Sequence, residues 1–532
     1  MWDPVRSLRV VVAACILAAG GAPFAQEPDP VEAAAEALGA SELASLRFTA
    51  FGAAFSVGQN PSPGEPWPRV TVKSYEAAIH YDTAAMRVEM VRTQGAIPPR
   101  GGGRPFTGDQ TLVQVVSGDA AWDVPQPPPA PGQRGGPPPS PEAENARADD
   151  QTPDAPEAAL ELPPQAQPSA AAERNQQIWL TPHGFLKAAM ANDATVSRVP
   201  GGTEVTFTVG GKYRFTGLID AKNHVAHVRS WLDNPVLGDM PIEVLYRDYE
   251  SFGGTAFPTH IIQSQGGYPS LELWVYAVEP HAAVEIAAPE SIRGASVPPV
   301  TVEIEEIAEG VHYITGGSHH SVAIEMTDHV VVVEAPLDEA RSRAVIARLR
   351  ESVPTRPIRF VINTHHHFDH AGGLRTYASE GAAIVTHEVN RAFYETAWAA
   401  PRTLAPDGLS QSGRSASFET FTDRHVLTDG RRTIEIHRIV NSPHHDGFAM
   451  VYLPAEKLLI EADAYTPIPE APLPPPPATP GPPGPPPAPP SNPTAINLYE
   501  NVRRLGLDVE RIAALHGPRL ATLDDLAKAA GR

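Results

Sequence analysis

The chain has 532 residues, more than one ordinary hydrophobic core uses, so two domains joined by linkers are expected. Its formal charge is −21, with no Lys/Arg-rich run beyond the first ten residues. It therefore lacks the basic footprint that displaces counterions from a phosphate backbone, which argues against nucleic acid and against an anionic membrane surface as partners.

At the N-terminus, Arg6 and Arg9 precede the apolar run 10–19, which is too short to span a bilayer, and small residues follow up to Ala25-Gln26. The pattern predicts a secretory signal peptide over residues 1–25 and so a periplasmic or secreted protein without a membrane span. Cys15 lies in a box that superficially matches a lipoprotein cleavage site. The apolar run continues past it, so no lipid anchor is expected there. Cys15 is also the only cysteine. The mature chain would have no disulfide and no thiolate, leaving His, Asp and Glu to hold any metal.

An Ala/Glu-rich helical stretch is expected from Pro30 to Leu46, followed by alternating patterns with strand periodicity. These include residues 69–73, 87–92, 203–209, 212–216, 225–231, 242–249, 260–265 and 271–278. Gly210-Gly211 between two such runs is a hairpin signal. Residues 40–286 are thus expected to form a mostly antiparallel β domain. Residues 125–174 are rich in proline, alanine, glycine and acidic side chains and read as a disordered insertion, having too little apolar matter to offset chain entropy. Proline is abundant, 59 residues, but clustered, which marks linkers rather than a disordered whole.

From residue 300 the texture changes to short strands near 301–304, 311–314, 321–324 and 329–334. A helix is expected over 337–351, then a core strand from Arg359 that ends at the stretch Asn363-Thr-His-His-His-Phe-Asp-His-Ala-Gly-Gly373. In α/β sheets, ligand sites lie just past the carboxyl ends of strands. In a tight loop, His365 and His367 can point one way, and Asp369 and His370 can serve a neighbouring position. Two imidazoles with a third from elsewhere suit one zinc ion, and a carboxylate with two imidazoles suits a second. Ala371-Gly372-Gly373 allows the backbone to turn tightly beside them. Further ligand types follow: His444 in Asn441-Ser-Pro-His-His-Asp-Gly447, Asp463 after the apolar run 457–462, and His516 in Ala514-Leu-His-Gly517. A second proline tract, residues 467–493, must be a loop.

In this order, H-x-H-x-D-H, a mid-chain His before Val451-Tyr-Leu-Pro454, an Asp and a late His-Gly, residues 300–532 resemble the metallo-β-lactamase superfamily. The resemblance implies an αββα sandwich of the α/β class and two metal ions, zinc expected, with iron or manganese possible. It implies that His365, His367 and His444 hold the first ion and Asp369, His370 and His516 the second, with Asp463 bridging. Asp369 and His370 would also act in catalysis. Aligning Asp446-Gly447 with the family's H-x-D-G selects His444 over His445. The reaction implied is hydrolysis of an ester, lactone, thioester or amide in a small-molecule substrate; a phosphodiesterase or a β-lactamase-like activity is the alternative. Glu334 stands where the family usually has Asp. Asp463 stands where the best-known lactamases have Cys, and His367 argues against the oxygen-reducing branch, which has Glu there.

Several neighbours have weaker claims. Ser318-His319-His320-Ser321 reads equally as substrate contact or polar loop. His366 and His387 are expected to play supporting roles, Tyr465 to reach an oxyanion or simply to pack, and residues 393–421 to form a cover or a surface excursion. The β domain resembles the sheet of periplasmic lipoprotein carriers, which implies a possible lipid or envelope component as its ligand. A binding protein with a secondary metal domain is therefore a further reading.

Overall fold

The computed structural model describes residues 29–94, 100–102, 108–126, 162–469 and 492–532. The expected signal peptide, Cys15, most of the first proline-rich segment and most of the second lie outside the described residues. No described helix is long and apolar enough to cross a membrane.

The N-terminal part is built on one 13-stranded sheet whose neighbours are all antiparallel. The chain enters at Ser45–Phe55, meanders to one edge at Ala120–Asp123 and Gln165–Ala166, and resumes at the opposite edge with Thr195–Val199. It then meanders back until Tyr268–Pro280 pairs with Ser45–Phe55. The expected runs are strands, and the hairpin glycines Gly210 and Gly211 take positive φ of 59° and 66°. The first helix, Pro30–Leu38, is shorter than expected. Gly39 at φ 70° terminates it, and Ser45 and Leu46 become the start of the central strand.

The boundary of the proline-rich insertion also needs correction. Residues 162–174 are ordered: Ala171–Leu180 is a helix, and Arg174 donates to the carbonyls of Val115 (3.0 Å) and Trp122 (2.8 Å) and pairs with Asp123 at 2.6 Å. With the following helix Pro182–Ala191 it covers one face of the sheet, where Ile178, Leu180, Phe185 and Leu186 join the main core. The polar residues of helix Ala171–Leu180 hid it from a hydrophobicity pattern, because only one narrow stripe is buried.

The C-terminal part is two sheets packed face to face. Seven strands, from Glu303–Ala308 to Ser417–Phe421, form the first, and six, from Arg424–Thr428 to Ala521–Thr522, form the second, each in chain order. Strand Val330–Val333 shows why its sequence is uniformly apolar: Val331 and Val333 face the second sheet, whereas Val330 and Val332 face the helix Glu339–Ser352. Helix Pro493–Leu505 packs Ala495, Leu498 and Val502 against the second sheet, completing helix, sheet, sheet, helix. Asn492 and Pro493, expected in the proline loop, instead cap and open that helix.

Residues 393–421 do not form a free cover. Helix Glu388–Ala399 leads into a loop in which Arg402 donates to the carbonyls of Pro235 (3.0 Å) and Val236 (2.9 Å), and Asp239 accepts from Thr403 N at 2.9 Å and Leu404 N at 3.0 Å. Asp407 caps helix Gly408–Ser412 and takes two bonds from the Arg375 guanidinium. Burial pushes the Asp407 carboxyl up, but Arg375 outweighs it and leaves the pKa at about 2. The stabilisation is therefore complete above the ordinary carboxylate range near 4 and is lost as pH falls through about 2. Replacing Asp407→Asn is expected to cost about 3 kcal/mol, the low end for breaking a buried pair, and to flatten the acid limb of a urea-unfolding series between about pH 4 and pH 2.

Candidate metal centre

The histidine loop begins where strand Ile358–Ile362 ends. Asn363 braces it: its amide donates to the His365 carbonyl at 2.5 Å, and its Oδ1 accepts from Tyr394 OH at 2.7 Å and Thr386 Oγ1 at 3.1 Å. His367 has non-helical φ and ψ and starts the one-turn helix Phe368–Ala371, which carries Asp369 and His370. The glycines after it are required by space. A Cβ on Gly372 would lie 1.9 Å from the Leu337 carbonyl oxygen, and one on Gly373 would lie 2.0 Å from Ser342 Oγ.

The seven residues expected at a site converge. One group is His365, His367, His444 and Asp463; the other is His370, Asp369 and His516, joined by His319. In each group the ligand atoms lie within 4.8 Å of one another. Asp463 follows strand Leu458–Glu461 and stands between the groups. Its Oδ2 is 3.0 Å from His444 Nε2 and 3.4 Å from His365 Nε2; its Oδ1 is 2.8 Å from His516 Nε2 and 3.1 Å from His370 Nε2.

The protonation pattern fits cations. His370 Nδ1 lies 2.5 Å from Glu334 Oε2, an acceptor, so Nδ1 keeps its proton and Nε2 is the atom left to meet an ion. His367 Nε2 lies 2.9 Å from the Asn60 backbone carbonyl and donates to it, so Nδ1 carries the free lone pair, and that atom is buried with no protein partner. His365 Nε2 and His444 Nε2 face each other at 3.1 Å, and His370 Nε2 and His516 Nε2 at 3.2 Å. Burial, reinforced by neighbouring histidines, holds His365 and His367 well below the ordinary imidazole range, so both are neutral. Burial disfavours charge on His370, but Asp463 and Asp369 outweigh it and raise its pKa, so without a cation beside it Nε2 holds a proton in the place an ion would take. Burial likewise opposes ionisation of Asp369 and Asp463, and His370 prevails in keeping both carboxylates ionised. Converging lone pairs beside two carboxylates are a donor set for divalent metal ions.

Glu334 supports this set from behind. It is fully buried at φ 68°, and while Oε2 meets His370, Oε1 accepts from Thr364 N at 2.7 Å. The extra methylene relative to Asp lets one carboxylate brace both ends of the loop.

Other histidines sort by contact. His319, left undecided by the sequence, lies in the second group, its Nε2 3.2 Å from Asp369 Oδ2. His320 turns away and meets the Gly517 carbonyl at 2.9 Å. His366 is not a ligand: it contacts His445 and bonds Asn60 Oδ1 at 2.9 Å. His387 caps helix Glu388–Ala399 through Val389 N, and Tyr465 is buried among the residues between the sheets. Beside His319 and His516 along the chain, an open cavity of about 420 Å³ is lined by Tyr313, Ser318, His320 and Pro518 among others.

Two residues of the N-terminal part, Gln59 and Asn60, reach these groups and had no sequence signal. Gln59 Nε2 donates to Asp369 Oδ1 at 2.8 Å, and Asn60 meets both His366 and His367. Partners more than 300 residues apart leave no local pattern.

Replacing Glu334→Gln puts an amide where His370 needs an acceptor. Its single carbonyl oxygen can serve only one of the two N–H groups that Glu334 accepts, so the amide N–H must face either the His370 imidazole or Thr364 N and unsettles the loop that presents His370. Zinc titration of the metal-free protein is expected to show one of two equivalents weakened by about 10- to 100-fold.

The model of the metallo-beta-lactamase superfamily matches residues 314–516. Among curated proteins, 2,4-dinitroanisole O-demethylase subunit alpha of Nocardioides sp. (strain JS1661) is 29% identical over 160 residues, 30% of this chain and 45% of that protein. The chain thus matches less than half the length of that relative. Among solved structures, a metallo-beta-lactamase from Pontibacter korlensis is 13% identical with a TM-score of 0.31, covering 43% of this chain and 98% of that one. The DIM-1 metallo-beta-lactamase is 14% identical with a TM-score of 0.31, covering 43% and 95%. The matched segment contains all seven candidate ligands that the sequence pointed to and most strands of the two sheets that hold them, and residues 314–516 match the metallo-beta-lactamase superfamily.

Proposed function

We propose that the protein is a metal-dependent hydrolase, working outside the cytoplasm on a small molecule with an ester, lactone, thioester or amide bond. The observation that carries this reading is Asp463, whose two oxygens face two separate clusters of imidazole lone pairs. His365, His367 and His444 would hold one ion and Asp369, His370 and His516 the other, with Asp463 shared; zinc suits the donors best, and iron or manganese is compatible. Such ions, when bound, acidify water and withdraw electron density from a carbonyl or phosphoryl oxygen.

The chain's own groups would do the rest. Asp369 is kept ionised and is held by Gln59, so its carboxylate can accept a hydrogen bond from an attacking water and fix its direction. His319 crosses the opening of the second group, its ring 4.0 Å from that of His516, and is placed to meet the substrate or its leaving group. Phosphodiester hydrolysis and a β-lactamase-like reaction would use the same groups.

A second reading concerns the β domain. Between its sheet and helix Ala171–Leu180 lies a cavity of about 330 Å³ bordered by Phe55, Val57, Met86, Val88 and Met90, with Arg92 and Glu173 at its wall. Its size suits a small amphipathic ligand. A lipid or envelope component would therefore bind there, but as a short chain, because the helices fill most of the remaining face.

Purified protein is expected to contain two equivalents of Zn, Mn or Fe after reconstitution. Chelation should abolish hydrolysis, and added metal should restore it; chelator-insensitive turnover would refute the reading. The substrate class is read from a panel of acyl lactones, thioesters, nitrocefin and bis-nitrophenyl phosphate. The panel includes an aryl methyl ether, because the curated relative is named for demethylating one. Asp463→Ala is expected to lose both equivalents, measured by metal analysis after gel filtration.

A further inference from the structure

We infer that the loop joining the first two strands of the N-terminal sheet is a positioning part of the metal centre, so that the two halves of the chain form one catalytic unit. The inference rests on the metal-dependent reading above. The loop spans the gap between Ser45–Phe55 and Arg69–His80. Its ends are closed by Ser56 N bonding to the Pro68 carbonyl at 2.9 Å.

Its contacts end on the ligand residues themselves, at the atom opposite the one that would meet an ion. An imidazole can bind metal through either nitrogen, and the proton decides which. The Asn60 carbonyl, 2.9 Å from His367 Nε2, holds the proton there and leaves Nδ1 facing the other ligands. Gln59 acts likewise on Asp369. Its amide occupies Oδ1, so the carboxylate cannot rotate freely and Oδ2 is left towards His319 and His370. Metal-binding histidines and carboxylates depend on such outer partners for orientation. In this protein, two of those partners are supplied by the other domain.

The loop is held rigidly enough to do this. The Asn60 side chain donates to the carbonyls of Ser62 (2.9 Å) and Glu65 (3.1 Å) while accepting from His366, so both its N–H groups and its oxygen help to fix the loop's shape and seat. Gly58, at φ 74°, receives Phe368 N on its carbonyl at 3.2 Å; a Cβ there would come within 2.3 Å of the Phe368 ring. Asp446 N bonds to the Pro61 carbonyl at 2.8 Å, tying the loop to the turn that bears His444. A loop serving only to glue two domains would have no reason to spend its bonds on ligand atoms.

The test uses the full-length protein stripped of metal and titrated with Zn²⁺ alone against a chromophoric chelator. Gln59→Ala is expected to weaken one equivalent by about 10- to 100-fold and leave the other unchanged, with the unfolding midpoint of the metal-free protein unaltered. Asn60→Ala keeps the backbone carbonyl that meets His367 but removes the side-chain bonds to Ser62, Glu65 and His366 that seat it, and is expected to weaken the other equivalent. In the Co²⁺-loaded forms both variants should change the visible absorption of the ion, a coordination readout that a general loss of stability does not move. Glu65→Ala, an exposed side chain of the same loop, should change none of these. Wild-type affinity for both equivalents in both variants overturns the inference, as does an equal loss in Glu65→Ala. A wild-type protein that takes up no Zn²⁺ overturns the hydrolase reading itself, and this inference with it.

Discussion

Imidazole nitrogens brought face to face repel unless a cation or a shared proton lies between them, and the centre of this protein is built from such pairs. His365 and His444 face each other through Nε2, as do His370 and His516, and the Asp463 carboxylate sits among all four. Such an arrangement is tolerated only where positive charge is expected to fill it. Much of the surrounding structure can be understood as the means of holding it: Glu334 behind His370, Asn363 across the loop, and glycines that let the chain pass within contact distance of its neighbours.

The sheets give that constraint its scaffold. Parallel neighbours bring several strand ends to one edge: Ile358–Ile362 delivers the histidine loop, while Leu458–Glu461 and Arg511–Ala514 deliver Asp463 and His516. Each strand is buried on both faces where it approaches the site, so its end is fixed to within the tolerance of the packed core. Precision in the ligands comes from this packing, since ligands on free loops would pay ordering entropy each time an ion bound.

The N-terminal part cannot be regarded as a detachable appendage. Its sheet closes by pairing its first strand with its last, and the loop leaving that first strand reaches the metal centre. The Arg402 and Asp239 contacts tie the domains at a second place. With contacts at two separated points, relative motion of the halves would disturb the orientation of His367 and Asp369.

The sequence by itself pointed to the candidate ligand set and to the strands around it. Four histidines and an aspartate in six consecutive positions are chemically distinctive, and strand periodicity survives in any context where one face is buried. It also exposed the departure at Glu334, though not that one carboxylate braces two ends of the loop. The tertiary structure alone decided the rest. Helix Ala171–Leu180 is mostly polar and emerges from a proline-rich segment, so only its docking on the sheet reveals its buried stripe. His319 and His320 are adjacent and identical in type, and only the fold sends one to the metal centre and the other to the Gly517 carbonyl. Gln59 and Asn60 are ordinary loop residues until a chain of more than 300 residues folds back on them. Local chemistry is written in neighbouring residues, whereas the partner of a hydrogen bond across domains is fixed only by where the whole chain goes.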